Sequence, residues 1–160
     1  MSTHPNFIMG YLDQLIQDCL QAQQTKAERI FEFSSFDDLA LHAHYIYVIE
    51  QVGGDIQQTY QDYAAFKALK THTCAKLNQP NHILYVGSSR TGIKNRLKQH
   101  LGFGPKRTYA LHLSQWFQGK YRITLHQYPL TTSASILQLL EDDLSHSLAP
   151  AFGKLGTNNR

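Results

Sequence analysis

The spacing of apolar residues predicts that helices and strands alternate along the N-terminal half of the chain. Between about Asn6 and Ile30, apolar residues recur at helical spacing opposite a Gln- and Asp-rich face, at Ile8, Leu12, Leu15, Ile16 and Cys19. The segments His44–Gln51 and His82–Gly87 are rich in β-branched and aromatic residues, which is typical of strands. Between these strands, Asp55 is a candidate N-cap for a helix that ends near Leu77.

The C-terminal half continues the alternation. We expect a helix from about Thr91 to Leu101 that Gly102 ends, a short helix over Thr108–Phe117, a strand over Tyr121–Tyr128 and an amphipathic helix over Ser133–Leu148. Near the start of the chain, Ser35 and Asp38 resemble a capping box that opens a short helical turn.

These elements predict an α+β fold, with a small and mainly antiparallel three-stranded sheet flanked by helices. We expect residues 1–42 to form an N-terminal helical extension packed on the core. Residues 43–160 then form the main domain, with a helical insertion at 55–77.

Composition narrows the class of protein. The 160 residues are 42% hydrophobic and 17% charged, which suits one globular domain and excludes a disordered chain. Apolar runs are too short for a transmembrane helix, the first residues lack a secretion signal, and two cysteines make no disulfide framework. We therefore expect a cytoplasmic, bacterial protein with no membrane partner.

Charge is distributed very unevenly around a net value of +3. Residues 1–62 carry nine acidic side chains and only two basic ones, whereas residues 63–140 carry eleven basic side chains and no acidic one. Such a stretch predicts a positive surface that suits a polyanion such as nucleic acid. The alternative is a solvated basic face that attracts the acidic N-terminal third of the same chain.

The candidate residues for chemistry run from Tyr47, before this basic region, to Glu141, directly after it. Tyr47 and Tyr85 lie on predicted strands, where a tyrosine is often only a core aromatic. Arg96 and His100 are four residues apart and share a helix face, so they can combine phosphate binding with a group that titrates near neutral pH, unless both are simply solvated.

Two further features complete the set of candidates. Glu141 borders the apolar stripe of the last helix, where a carboxylate needs either a cation such as Mg²⁺ or a salt bridge to a nearby Lys or Arg. Lys106 and Arg107, with Tyr109, follow the turn GFGP, which suits either contacts to a nucleic-acid backbone or a solvated loop.

Together these segments resemble the GIY-YIG nuclease family over roughly residues 43–153. YIY at Tyr45–Tyr47 and YVG at Tyr85–Gly87 are similar to its two strand motifs, and SSRTGIKNRLKQHL at Ser88–Leu101 resembles its signature helix. LLEDDLSHSLAP at Leu139–Pro150 is similar to its closing motif, a glutamate nine residues before a proline.

The resemblance implies a metal-dependent endonuclease that hydrolyses phosphodiester bonds in double-stranded DNA. It implies that Arg96 binds the scissile phosphate and that Glu141 holds a single Mg²⁺ or Mn²⁺. Tyr47 then takes a proton from the attacking water, His100 relays that proton or polarises the tyrosine, and Tyr85 orients the water or phosphate. The residues expected to follow the DNA backbone are Arg90, Lys94, Lys98, Lys106, Arg107 and Tyr109.

Two other functions stay open. A catalytically silent nucleic-acid-binding module is the main alternative, since Gly153 stands where many family members have asparagine, and Asn158 or Asn159 would have to replace it. A protein-interaction domain is the third. Residues 1–42 and 55–77 lie outside the family core, and covering the sheet, forming a homodimer or restricting DNA access are all roles open to them.

Overall fold

A computed structural model describes residues 8–69 and 73–155. Their helices and strands follow in the order α1 (Tyr11–Gln24), β1 (Arg29–Glu32), β2 (His44–Gly53), α2 (Ile56–Ala68), β3 (Ile83–Ser89), α3 (Ile93–Leu101), β4 (Lys120–Tyr128) and α4 (Ala134–Leu148). Short 3₁₀ turns lie at Phe36–Asp38 and Leu113–Gln115. The predicted α+β class is confirmed.

The sheet is fully antiparallel, with the strand order β1-β4-β2-β3. It has four strands, so the expectation of three was wrong. The additional strand, β1, begins at Arg29, inside the end of the predicted first helix, and continues to Glu32. Of its four residues only Phe31 is partly buried. A strand this short, with one side chain facing the core, has no alternation of apolar and polar residues that would identify it in the sequence.

Two cores cover the two faces of the sheet. Because side chains alternate along β2, Tyr45, Tyr47 and Ile49 pack with α2 and α3, whereas Ile46 and Val48 face α4. β3 is an edge strand of the sheet, and it pairs with β2 although α2 intervenes in the chain. Side chains from both faces can therefore meet around β3.

Local signals predicted several elements well. Asp55 caps α2 by accepting a hydrogen bond from the Gln58 N–H at 2.7 Å, and Ser133 caps α4 in the same way. Gly102 ends α3 with a φ of +100°, a value that favours glycine. In each case the signal lies within a few residues of the helix end.

Three helix predictions were wrong in extent. The first helix covers Tyr11–Gln24 rather than Asn6–Ile30 (residues 1–7 lie outside the described part), and most of its apolar residues are exposed. α2 ends at Ala68, because the chain beyond residue 73 instead forms bridges from Cys74 to Ala110 and from Leu77 to Phe152. Residues 108–117 form only a 3₁₀ turn, since His112 adopts left-handed backbone geometry with a φ of 52°.

The segment before β2 contributes more than a helix. α1 packs against α4, and β1 joins the sheet through β4, so residues 8–42 supply a helix, a strand and a 3₁₀ turn. Within the described ranges, no helix is long and apolar enough to cross a membrane.

Candidate active site

A cleft of about 420 Å³ opens beside the C-terminal half of edge strand β3. Its walls come from both faces of the sheet, from α3 on one side and α4 on the other. The lining residues are Tyr47, Tyr85, Val86, Gly87, Ser88, Arg96, Tyr109, Gln138, Glu141 and Lys154. Five residues singled out from the sequence therefore share one cleft: Tyr47, Tyr85, Arg96, Tyr109 and Glu141.

Strand pairing brings the two tyrosines together. Tyr47 on β2 is paired with Gly87 on β3, and the rings of Tyr47 and Tyr85 stack with their centroids 6.1 Å apart. A Cβ atom at residue 87 would lie 2.5 Å from the Tyr47 Oη. The glycine thus leaves the space in which the Tyr47 hydroxyl reaches the cleft.

Arg96 is held in place by uncharged partners. Its Nε donates to Tyr47 Oη at 3.2 Å, and its Nη2 donates to Tyr85 Oη at 3.0 Å and to the Tyr109 carbonyl at 2.6 Å. Its Nη1 donates to Gln99 Oε1 at 2.9 Å. Since a guanidinium has five N–H donors, this leaves one N–H of Nη1 for a ligand.

No carboxylate neutralises Arg96 at salt-bridge distance within residues 8–69 and 73–155, where the ion pair found is Arg122 with Glu50. Arg96 is partly buried, and a cation in such a position is costly when all of its hydrogen-bond partners are neutral. The cleft therefore has a fixed positive charge that favours an anionic ligand.

His100 lies behind Tyr47, fully buried, and does not line the cleft. The backbone N–H of Leu111 donates to its Nδ1 at 3.2 Å, so Nδ1 carries a lone pair. Burial, and then the charge of Arg96, lowers the pKa of His100 well below its usual value, so the ring is neutral. Its one proton is therefore on Nε2, which donates to Tyr47 Oη at 2.9 Å.

Tyr47 Oη thus accepts two hydrogen bonds, from His100 and from Arg96. Burial, and then the neighbouring Tyr85, raises the pKa of Tyr47 well above its usual value, so its hydroxyl stays protonated in the free protein. The pKa of Tyr85 is likewise raised by burial. Because both lone pairs of Tyr47 are occupied, its hydroxyl proton is the atom that it offers to a ligand in the cleft.

Glu141 projects from α4 onto the opposite wall. Its Oε2 accepts hydrogen bonds from Ser88 Oγ at 3.0 Å and from Gln138 Nε2 at 2.8 Å. Burial raises the pKa of Glu141, although the hydrogen bonds from Ser88 and Gln138 act in the opposite direction. In the described part of the chain Oε1 has no hydrogen-bond partner and Glu141 makes no salt bridge.

The chemistry of Glu141 fits a magnesium-type cation. Mg²⁺ takes oxygen ligands and commonly uses only one or two protein carboxylates, with water or substrate phosphate completing its shell. No group of three or more His, Cys, Asp or Glu side chains gathers as a metal site in residues 8–69 and 73–155. A cation in this cleft would therefore be held through Glu141 Oε1.

The basic residues predicted to contact DNA are spread more widely. Arg90 lines a shallow depression that adjoins the cleft through Ser88 and Gln138. Lys94 lines a separate depression, and the Lys98 ammonium lies 5.4 Å from the Phe36 ring centroid.

The loop residues differ from one another. Lys106 and Arg107 are exposed and do not line the cleft. Tyr109 lines it, but its hydroxyl accepts a hydrogen bond from the Lys76 N–H at 3.1 Å and its carbonyl accepts one from Arg96. Tyr109 therefore has a structural part in holding Arg96.

Sequence reasoning missed three lining residues. Ser88 directly follows the second strand motif, and Gln138 precedes Glu141 by about one helical turn. Their positions on the predicted strand and helix could therefore have identified both as neighbours of the candidate residues. Lys154 lies beyond α4, with its Nζ 5.6 Å from the Tyr109 ring centroid. No local pattern links Lys154 to the cleft.

The close approach of residue 153 to Tyr85 explains why a glycine occupies this position. Its φ is +95°, and a Cβ atom there would lie 2.6 Å from the Tyr85 Cε2. The Asn78 Nδ2 donates to the carbonyls of Pro150 at 3.0 Å and Gly153 at 2.9 Å, which holds this segment against β3. Asn158 and Asn159 lie outside the described residues.

The cleft thus combines two basic side chains, Arg96 and Lys154, with the hydroxyls of Tyr47 and Tyr85 and one carboxylate that has a free oxygen. These groups come from β2, β3, α3, α4 and the segment after α4. Such a set can bind an anion on one wall and a hard cation on the other. Comparison with protein-family models, with curated proteins and with solved structures finds no match for this chain.

Proposed function

We propose that this protein is a metal-dependent endonuclease that hydrolyses DNA phosphodiester bonds through a site of the GIY-YIG type. The observation that carries the proposal is the cleft in which partly buried Arg96, bonded only to uncharged groups, faces Glu141. A phosphodiester supplies the anion that this arginine lacks, and its oxygens can share a cation with the carboxylate.

Arg96 is the phosphate-binding group in this proposal. Its four hydrogen bonds fix the plane of the guanidinium before a ligand arrives, so little reorganisation is needed when charge grows on the phosphate oxygens. The free N–H of Nη1 and the hydroxyl proton of Tyr85 are the donors that can meet those oxygens.

Tyr47 is the candidate base for the attacking water, and it can accept a proton only as the phenolate, which forms when its own hydroxyl proton leaves through the cleft to solvent. The His100 Nε2–H and the Arg96 Nε–H both donate to its oxygen and so favour the phenolate, whereas burial opposes it. Because Nε2 already carries the proton, the geometry favours polarisation of Tyr47 by His100 over a proton relay. Tyr85, bonded to Arg96, orients the water or the phosphate.

Glu141 would hold a single Mg²⁺ or Mn²⁺ through its free oxygen, with Ser88 and Gln138 fixing the other oxygen. When bound, such an ion acts as a Lewis acid that stabilises charge on phosphate oxygens. The raised pKa of Glu141 means that the carboxylate loses its charge at a higher pH than an ordinary glutamate does when no cation is present.

The surrounding basic residues would contact the DNA backbone without reading its sequence. Arg90 is the nearest of them, since it adjoins the cleft, and it is joined by Lys94, Lys98, Lys106 and Arg107.

The test is nicking or cleavage of supercoiled plasmid in Mg²⁺ or Mn²⁺. Arg96→Ala and Glu141→Gln are each expected to lower the rate by about 100-fold or more, because each removes a charge that acts on the phosphate. Arg96→Lys keeps the positive charge but loses the planar fork, so we expect it to bind DNA and cleave poorly.

Two exposed residues outside the cleft supply matched controls. Arg29→Ala and Asp143→Ala remove the same charges elsewhere on the surface and should leave the rate unchanged. Melting curves establish that each variant is folded. Cleavage that persists in both folded variants, Arg96→Ala and Glu141→Gln, would exclude this mechanism.

A catalytically silent nucleic-acid-binding module is the second candidate. It is favoured by Arg96, four of whose five N–H donors are already bonded within the protein. This alternative predicts DNA binding that weakens with salt and is unchanged by EDTA, with no product at any metal concentration.

A further inference from the structure

Phe103 is an aromatic residue that the turn after α3 leaves exposed to solvent. It follows α3 in a Schellman motif, in which the Phe103 N–H donates to the Lys98 carbonyl at 2.9 Å and Gly102 has a left-handed φ of +100°. An apolar residue at this position of the motif usually packs back on its helix, but the Phe103 side chain is 74% exposed. The turn therefore leaves the Phe103 ring exposed to solvent.

The turn lies close to the phosphate-binding candidate. Gly104 packs on Gln99, so closely that a Cβ atom at residue 104 would lie 2.8 Å from the Gln99 Cγ. Gln99 in turn accepts a hydrogen bond from Arg96 at 2.9 Å. One side chain thus links the turn that carries Phe103 to the guanidinium in the cleft.

The charge around Phe103 is positive. Lys106 and Arg107 follow in the same loop, both are exposed, and residues 63–140 contain no acidic side chain. Tyr109 is the aromatic residue that follows these two basic side chains in the sequence. In the cleft it accepts hydrogen bonds from the Lys76 N–H and from Arg96, and its ring lies near the Lys154 ammonium. Phe103 is therefore the exposed aromatic residue of this basic loop.

We propose that Phe103 is a stacking platform for an unpaired nucleobase adjacent to the phosphate bound at Arg96. Exposed aromatic rings beside basic side chains bind single-stranded nucleic acid, because every base has a face that can stack and every phosphate is attracted by the cations. An intact duplex must first unstack a base, whereas a bulged or single-stranded segment does not. The protein therefore prefers DNA that contains an unpaired base over a continuous duplex.

This inference rests on the proposed function only for DNA binding and does not require cleavage. It is tested by titration in EDTA, where no hydrolysis occurs, with a duplex, the same duplex carrying one bulged 2-aminopurine, and the corresponding single strand. The readouts are the dissociation constant and the fluorescence of the 2-aminopurine.

We expect Phe103→Ala to weaken binding of the bulged duplex and single strand by about fivefold or more, the lower end of a lost stacking contact, and to change binding of the continuous duplex less. Phe103→Trp, which keeps a stacking ring, should retain tight binding and quench the 2-aminopurine. Tyr11→Ala is the matched control, since Tyr11 is 80% exposed on α1, which has no basic residue.

The outcomes separate the two proposals. If the wild-type protein neither binds DNA in EDTA nor cleaves it in Mg²⁺ or Mn²⁺, both the proposed function and the role of Phe103 are rejected. If the wild-type protein binds or cleaves DNA, but Phe103→Ala behaves like Tyr11→Ala on all three probes, the proposed function survives and the stacking platform is rejected. Equal affinity of the wild-type protein for the bulged and continuous duplexes also rejects the platform.

Discussion

At the scale of single residues, His100 shows how burial and hydrogen bonding define one chemical form. The Leu111 N–H occupies its Nδ1 and Tyr47 Oη meets its Nε2, so both ring nitrogens have partners without any charge on the ring. Protonating Nδ1 would break the bond from Leu111 and place a second cation near Arg96. The hydrogen bonds and burial that the fold provides therefore favour the neutral form of the His100 ring.

This arrangement predicts a dependence of stability on pH. The pKa of His100 is lowered well below 6.5 in the folded protein, first by burial and then by Arg96, whereas in the unfolded chain it is about 6.5. Below pH about 6.5 the unfolded state binds the extra proton, so this contribution to the free energy of unfolding falls as the pH falls, by up to about 1.4 kcal/mol per pH unit.

Urea unfolding of the wild-type protein and of His100→Gln between pH 7.5 and 5 measures this effect, with the pH range set by the usual histidine value of about 6.5. The free energy of unfolding of the wild-type protein should fall as the pH is lowered, and this fall should be largely absent in His100→Gln. His126→Gln is the comparison, because the pKa of half-buried His126 is also lowered by burial and its effect should be smaller. Identical slopes for the wild type and His100→Gln would show that the ring is not held neutral.

At the scale of elements, the segment after α4 supports the cleft through its backbone. Asn78 binds the carbonyls of Pro150 and Gly153, and the N–H groups of Ala151 and Phe152 donate to the carbonyls of Ile83 and Leu84. These bonds bring Gly153 against the Tyr85 ring, where no side chain fits.

Gly153→Ala is expected to lower the free energy of unfolding by about 1–3 kcal/mol, because its φ of +95° is strained for any other residue and the new methyl group meets Tyr85. Gly92→Ala is the matched control, since nothing lies within 4 Å of a Cβ atom there. We expect that control to fall within about 0.5 kcal/mol of the wild type in urea unfolding. Equal stability of the two variants would contradict the close contact of Gly153 with Tyr85.

Elements with signals inside their own segment were predictable. The stripe Ile93, Leu97 and Leu101 indicated α3, and Gly102 indicated its end. β1 and the chain from 108 to 117 were not predictable, because their conformations depend on pairing with β4 and with Cys74, far away in sequence. A local pattern does not record which distant segment a short strand will meet.

At the scale of the whole molecule, the uneven distribution of charge along the chain gives different helices opposite charges. α1 carries Asp13 and Asp18 and no basic residue, whereas α3 carries Lys94, Arg96 and Lys98 and no acidic one. The cleft opens between α3 and α4, with Arg90 at its margin. The α3 wall of the cleft is therefore basic, and under the proposed function it is the wall that contacts the DNA backbone.

Salt dependence of DNA affinity tests this orientation. If Arg90 contacts a phosphate, Arg90→Gln should reduce the slope of log Kd against log salt concentration by about one. Lys26→Gln, a change of the same charge in the acidic N-terminal region, should leave the slope unchanged. Equal slopes for Arg90→Gln and the wild type would place the DNA elsewhere.

The amino-acid sequence alone determined the α+β class, the charge asymmetry and the residue types available for chemistry, because periodicity, caps and counts are properties of neighbouring residues. Only the tertiary structure decided that Gly87 lies opposite Tyr47, that Leu111 fixes the tautomer of His100, and that Ser88 reaches Glu141. The contacts of Gly87 and Ser88 join residues far apart in the chain, and they exist because β3 pairs at the edge of the sheet, where helices from both faces meet. The contact of Leu111 with His100 depends on how the loop after α3 folds back on that helix.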